Sequence, residues 1–197
     1  RGRVSAFGRP GGADMNEIAL LIAATLNAGT VLAIAALGLL INERAGVVNL
    51  GAEGMMLVAA VVGYAAAVHS GSDLVALIAG AVAGALLATV FGALVIWLNT
   101  NQYATGLALS LFGVGFSAFI GQPYTRERLS ERAQFEIPLL SDVPFIGPAL
   151  FKQHPMVWVA IALTILLMWW LNKSRSGLIL RAVGESPQSA HAIGYPV

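Results

Sequence analysis

Cysteine is absent from this chain and charge is scarce. Without cysteine there are no disulfides and no thiolate metal sites. His69, His154 and His191 stand far apart in the sequence, so no metal centre is expected. Charged residues make up 11% of the 197, against about 25% in an ordinary soluble domain. The shortage is uneven: no charge falls between Ile18 and Ile41 or between Leu74 and Leu98. The net charge of +1, with no basic cluster, gives no reason to expect nucleic acid as a partner. No GxxxxGK[ST] phosphate loop occurs, and no nucleophile–base pair or metal-ligand set stands at useful spacing. ATP hydrolysis and other bond chemistry are therefore not expected of this chain, and neither is a cofactor.

What the sequence has instead is hydrocarbon. Hydrophobic residues make up 57% and glycine supplies 22 positions. Uncharged apolar runs longer than about 18 residues read as membrane-spanning helices. The reading is an all-α, polytopic membrane helix bundle of five spans: Ile18–Ile41, Val47–Val68, Leu74–Leu98, Tyr103–Ile120 and Pro155–Leu171. Trp158, Trp169 and Trp170 sit towards the ends of the fifth, where amphipathic rings favour the headgroup region. Residues 1–14, RGRVSAFGRPGGAD, lack the apolar core of a signal peptide and read as a flexible extension before Met15.

Lysine and arginine set the orientation. After the fifth span, Lys173, Arg175 and Arg181 face Glu185 alone, which puts that end in the cytoplasm. Counting back, 122–154 lies outside, 99–102 inside, 69–73 outside and 42–46 inside. Small residues four apart, Gly80, Gly84, Ala88 and Gly92 in the third span and Gly113, Ser117 and Gly121 in the fourth, suit close helix packing in lipid. The 122–154 connection pairs a charge-balanced run with an apolar half holding Pro138, Pro144 and Pro148. Prolines there exclude one long helix and favour short segments lying on the membrane or capping a cavity.

The stretch INERAGVVNLGAEGMML, residues 41 to 57, is unusual for so apolar a chain. Gly46, Gly51 and Gly54 tolerate irregular backbone, and Asn49 is a favoured helix cap. The second span is thus expected to begin as a broken or re-entrant segment near 46–55, its helix starting at Asn49. Glu53 then falls in the first turn, where the helix dipole favours negative charge. A carboxylate at the centre of a membrane helix costs on the order of 3 kcal/mol unless paired or hydrated. Either Glu53 pairs with Arg44 or caps amides, or it lines a solute path. Asn27, Asn49, Asn101, Gln102 and Ser110 are the other polar candidates for such a path, with Asn99 nearby. Towards the end, Ser186 and Pro187 suit a helix start, and Gly194 and Pro196 its end.

GLLINERAGVVNLGAEGMML and LRAVGESPQSAHAIGY, with ATGLALSLFGVGFSAFIGQPY and IPLLSDVPFIGPALF, resemble the permease subunits of bacterial ABC importers for nucleosides and simple sugars. The resemblance runs from Met15 to the last residue and favours nucleosides over ribose-type sugars. It implies a permease of the bacterial cytoplasmic (inner) membrane, paired with a second permease subunit. It also implies a cytoplasmic ABC ATPase subunit and an extracytoplasmic solute-binding protein. Residues 184–194 would form the coupling helix that docks on the ATPase, with Arg181, Gly184, Glu185, Ser186, Pro187, Ala190 and Gly194 as its candidate residues. Permeases of this family are longer and carry further spans after that helix, so 15–197 is expected to be an incomplete permease domain. Two other readings stay open on the residues alone. One is a secondary transporter driven by an ion gradient, with Glu53 as its coupling site. The other is a non-transporting membrane subunit.

Overall fold

A computed structural model describes residues 10–127, 135–136, 152–192 and 194–195. Most of the expected cap over 122–154 lies outside the described residues, as do residues 1–9 of the expected extension. Seven α-helices are described: α1 Pro10–Arg44, α2 Ala52–Ser70, α3 Asp73–Gly92, α4 Gln102–Gly121, α5 Pro155–Lys173, α6 Arg175–Glu185 and α7 Pro187–Ala192. A π-helical turn, Ala93–Trp97, extends α3, and a 3-10 turn, Gln122–Tyr124, extends α4. Five helices are long and apolar enough to cross a membrane, by length and composition. They correspond to the five expected spans, each shifted by a few residues.

The chain divides into two units. The first comprises residues 1–37 and 132–170, so it holds α1 as far as Leu37 and α5 as far as Trp170. In it the short strands β1, Phe135–Glu136, and β2, Lys152–Gln153, pair antiparallel. Gln153 is fully buried, and its Oε1 accepts from Asn27 Nδ2 at 2.9 Å. His154 then caps α5 by accepting from the Met156 amide through Nδ1 at 3.3 Å, and Pro155 opens the helix. Proline suits that position because its missing N–H has no helical partner there.

The second unit comprises residues 38–131 and 171–197. Its core is Met55, Phe91 and Leu109, with Val47, Leu87, Leu94 and Val95 packed around them. Helix α2 crosses both α3 and α4 through glycine. A side chain at Gly80 would stand 2.9 Å from the Ala59 carbonyl, and one at Gly63 would stand 3.0 Å from that of Ala76. Gly54 and Gly113 bring α2 and α4 into backbone contact. Lipid offers helices little hydrophobic drive to associate, so close approach of this kind supplies the attraction. The expected stripe on α3 is used in part: Gly80 and Gly84 face Ala59, whereas nothing described lies within 4 Å of a side chain at Gly92.

Helix α1 stops in a Schellman turn. Gly46 takes a left-handed φ of 81°. Its amide bonds the Glu43 carbonyl at 3.0 Å, and the Val47 amide bonds that of Asn42 at 2.9 Å. Only glycine adopts such a φ without strain, so the glycine here ends the helix. The break expected near 46–55 is present, running from Ala45 to Gly51. Its cap differs from expectation. Helix α2 starts at Ala52 with Gly51 in the capping position, and Asn49 folds an Asx turn just before it.

Candidate functional site: a helix break held by side chains

Irregular backbone at membrane depth survives only where its polar groups find partners within the protein or face a water-filled cavity. Between Val47 and Gly51 three side chains supply those partners. Gln102 Oε1 accepts from the Val48 amide at 3.0 Å. Asn49 Oδ1 accepts from the Gly51 amide at 2.9 Å, and Asn49 is itself buried against Met55 Sδ. Ser110 Oγ donates to the Leu50 carbonyl at 2.8 Å. The start and middle of α4 thus hold the break from one side. Gly106 lets the two backbones meet, since a side chain there would stand 2.9 Å from the amides of Leu50 and Gly51.

Three sequence candidates, Asn49, Gln102 and Ser110, therefore converge on one place. Asn101 stands beside them and caps α4, its Oδ1 accepting from the amides of Tyr103 and Ala104 at 3.0 and 3.1 Å. Neighbouring Asn99 takes a positive φ of 49°, a conformation asparagine tolerates better than most residues. Asn27 is not part of this cluster; it belongs to the first unit and bonds Gln153. Glu53 lies in the first turn of α2 and is exposed. Among the described residues no ion pair joins it to Arg44, which removes one of the two structural explanations for it.

The segment after α5 holds a second cluster. Ser174 Oγ caps α6 by accepting from the Gly177 amide at 3.0 Å, and Arg181 Nη1 donates to Asn172 Oδ1 at 3.0 Å. Ser186 caps α7, accepting from the Ser189 amide at 3.3 Å, and Pro187 is its first residue, as the sequence indicates. Glu185 and Pro187 are exposed. Ala190 is buried, at 2% exposure, so it packs α7 onto the chain rather than facing outward. Gly194 takes a φ of 94° and its amide bonds the His191 carbonyl at 2.9 Å, closing α7.

Gly184 is packed against the start of the break. A side chain there would overlap the Arg44 carbonyl and stand 2.8 Å from the Gly46 amide. Sequence reasoning did not anticipate α6 as a helix. A signal was there: Ser174 as cap, then Leu178, Ile179, Ala182 and Val183 at helical spacing.

At the other end of α2, Tyr64 donates to the Glu127 carbonyl at 2.6 Å, and His69 Nε2 shares a 3.0 Å hydrogen bond with the Tyr124 hydroxyl. Both rings meet Tyr124 edge-on. A groove of about 560 Å³ between α2, α3 and α4 is lined by Val58, Val62, Val82, Leu86 and Phe112 among others. Its hydrocarbon lining suits acyl chains rather than a hydroxyl-bearing solute.

A five-span membrane chain with a glycine-bounded helix break and a capped terminal helix pair can be compared with known proteins. Residues 21–197 match the family described as branched-chain amino acid transport system / permease component. The chain belongs to that permease family. It is 37% identical over 187 residues to the protein named "Putative glucose ABC transporter permease protein TsgC13" of Haloferax volcanii, covering 93% of this chain and 57% of that protein. It is 31% identical over 194 residues to the nucleoside ABC transporter permease NupC of Lactococcus lactis subsp. cremoris, covering 93% and 61%. The guanosine ABC transporter permease NupQ of Bacillus subtilis is 31% identical over 192 residues, covering 91% and 60%. The chain thus spans about three fifths of the length of these relatives. No solved structure matches it.

Proposed function

We propose that this chain forms part of the translocation pathway of an ATP-driven importer for a nucleoside or simple sugar. The observation that carries the reading is the juxtaposition of α6 and the helix break through Gly184 and Gly46, in a family of transporter permeases. The relatives named for glucose, nucleosides and guanosine favour these solutes. A separate ABC ATPase subunit hydrolyses ATP and docks on α6–α7 through the exposed Glu185 and Pro187. A second permease subunit completes the pathway, and an extracytoplasmic solute-binding protein delivers the solute. The site is the bacterial cytoplasmic membrane, with α6 and α7 inside.

Two contacts support that orientation. Gly184 meets Arg44–Gly46, so the 42–46 turn and the basic 173–181 segment share one end of the second unit. Tyr64 and His69 meet Tyr124 and Glu127 at the opposite end of α2, as alternation across a membrane requires. Asn49, Gln102 and Ser110 serve the pathway by shaping the break, while Glu53 presents its carboxylate beside it. Asn101 caps α4 next to this wall, and Asn27 stands further along α1.

The test is co-purification and uptake. The chain is expressed with its flanking genes and reconstituted in vesicles with labelled guanosine or glucose. An ATPase should co-purify, and Glu185→Lys should weaken its association while leaving membrane insertion intact. Uptake should require ATP and survive a protonophore. Uptake without ATP that collapses with the ion gradient would instead favour an ion-coupled transporter using the exposed Glu53.

A further inference from the structure

We propose that α6 and the helix break form one mechanical piece, in which Gly184 and Gln102 are positioning residues that carry movement of α6–α7 to the start of α2 and α4. The inference rests on the reading above, in which α6–α7 receives the ATPase. Its basis is the kind of contact involved. Where side chains separate two elements, rotamer changes can absorb a displacement. Backbone on backbone leaves no such slack, because interiors are close-packed and poorly compressible.

The connection can be followed residue by residue. Gly184 lies on the Arg44 carbonyl and the Gly46 amide, and a side chain at Gly46 would stand 3.0 Å from the Gly184 carbonyl. Gly46 and Val47 are bonded back to Glu43 and Asn42 of α1. The next amide, that of Val48, is held by Gln102, the first residue of α4. The following carbonyl, that of Leu50, is held by Ser110, on a later turn of the same helix. Asn49 fastens Gly51, from which α2 begins. No flexible linker intervenes between α6 and the first turn of α2: each residue from Gly46 to Gly51 carries a hydrogen bond or a backbone contact. A push on α6 therefore acts on the wall where the polar residues converge.

The experiment measures solute taken up per ATP hydrolysed by the assembled complex in vesicles, for wild type, Gly184→Ala, Gly184→Val, Gln102→Leu and Gln102→Glu. The glycine variants and Gln102→Leu should keep the ATPase bound and hydrolysing, while uptake per ATP falls at least about fivefold, the low end of an ordinary coupling between sites. Gln102→Glu should restore it, since a carboxylate still accepts from Val48 and suits the first turn of a helix. A merely structural role would move yield and thermal stability without changing the ratio. Should Gly184→Val fail to assemble, the Gln102 pair decides alone. An unchanged ratio in assembled Gly184→Ala and Gln102→Leu overturns the inference and leaves the importer reading standing. Absence of an ATPase from the wild-type preparation overturns both.

Discussion

Gly113→Ala tests whether the α2–α4 crossing is held by backbone contact. The added methyl would overlap the Gly54 Cα and carbonyl oxygen and stand 2.6 Å from its carbonyl carbon. Carbon atoms settle at about 3.5–4.0 Å, so the helices must part by about 1 Å. What blocks the methyl is main chain, which cannot swing aside as a side-chain tip can. A gap of that size forfeits about a quarter to a half of the attraction of each contact it opens. The contacts at risk include those of Met55 and Leu109, members of the core beside this crossing. Overpacking at such sites costs about 1–3 kcal/mol. At about 2–4 °C per kcal/mol for a chain of this size, Tm should fall by about 2–12 °C. The control is Gly115→Ala on the same helix, where a methyl meets nothing within 4 Å among the described residues. There alanine should stabilise slightly, by up to about 1 kcal/mol of helix propensity. The assay is thermal unfolding in detergent, followed by tryptophan fluorescence. A Gly113→Ala protein that melts with or above Gly115→Ala would refute the backbone-contact account.

Other substitutions probe single interactions. Asn101→Ala removes the cap of α4 and should cost about 1 kcal/mol, with Asn101→Asp recovering most of it; equal Tm values for the two would contradict the capping role. Asn27→Leu removes one hydrogen bond to buried Gln153 and should cost about 0.5–1.5 kcal/mol, read from thermal unfolding of the intact protein. Glu53→Gln should leave stability within about 0.5 kcal/mol of wild type, as expected for an exposed group with no ion pair to Arg44. A drop of several degrees would show that the carboxylate holds the fold. Ser186→Ala should loosen α7 and lower recovery of the ATPase in pull-downs, and Ser186→Asp should restore it, since Asp caps equally well.

The legible part of the site followed local rules. Gly46, Gly51 and Asn49 announced a break because glycine and asparagine each favour irregular backbone over a helix interior, and the structure breaks there. Ser186 and Pro187 announced α7 in the same way. The cap of α2 was misplaced by two residues because asparagine serves both Asx turns and helix caps, and the choice depends on what packs behind it. Helix α6 went unseen because its apolar positions form a short run beside a basic segment that reads equally well as loop. The partners of Val48 and Leu50 were also hidden. Nothing local to Gln102 or Ser110 says that their side chains reach back 54 and 60 residues to hold a backbone amide and carbonyl.

What the sequence determined by itself is the solvent and the segmentation. Hydrocarbon length and the absence of charge dictate which stretches span a membrane, and capping chemistry dictates where they stop. Tertiary structure alone decided what the polar residues bond to. Asn49, Gln102 and Ser110 read as candidates to touch a solute, yet each is engaged with the backbone of the break. The physical reason is that an amide or carbonyl removed from water without a partner is costly, so nearby polar side chains turn to it first. The close approach of Gly184 to Gly46 was likewise a matter of tertiary packing. It depends on two segments far apart in sequence, each lacking a side chain at the point where they meet.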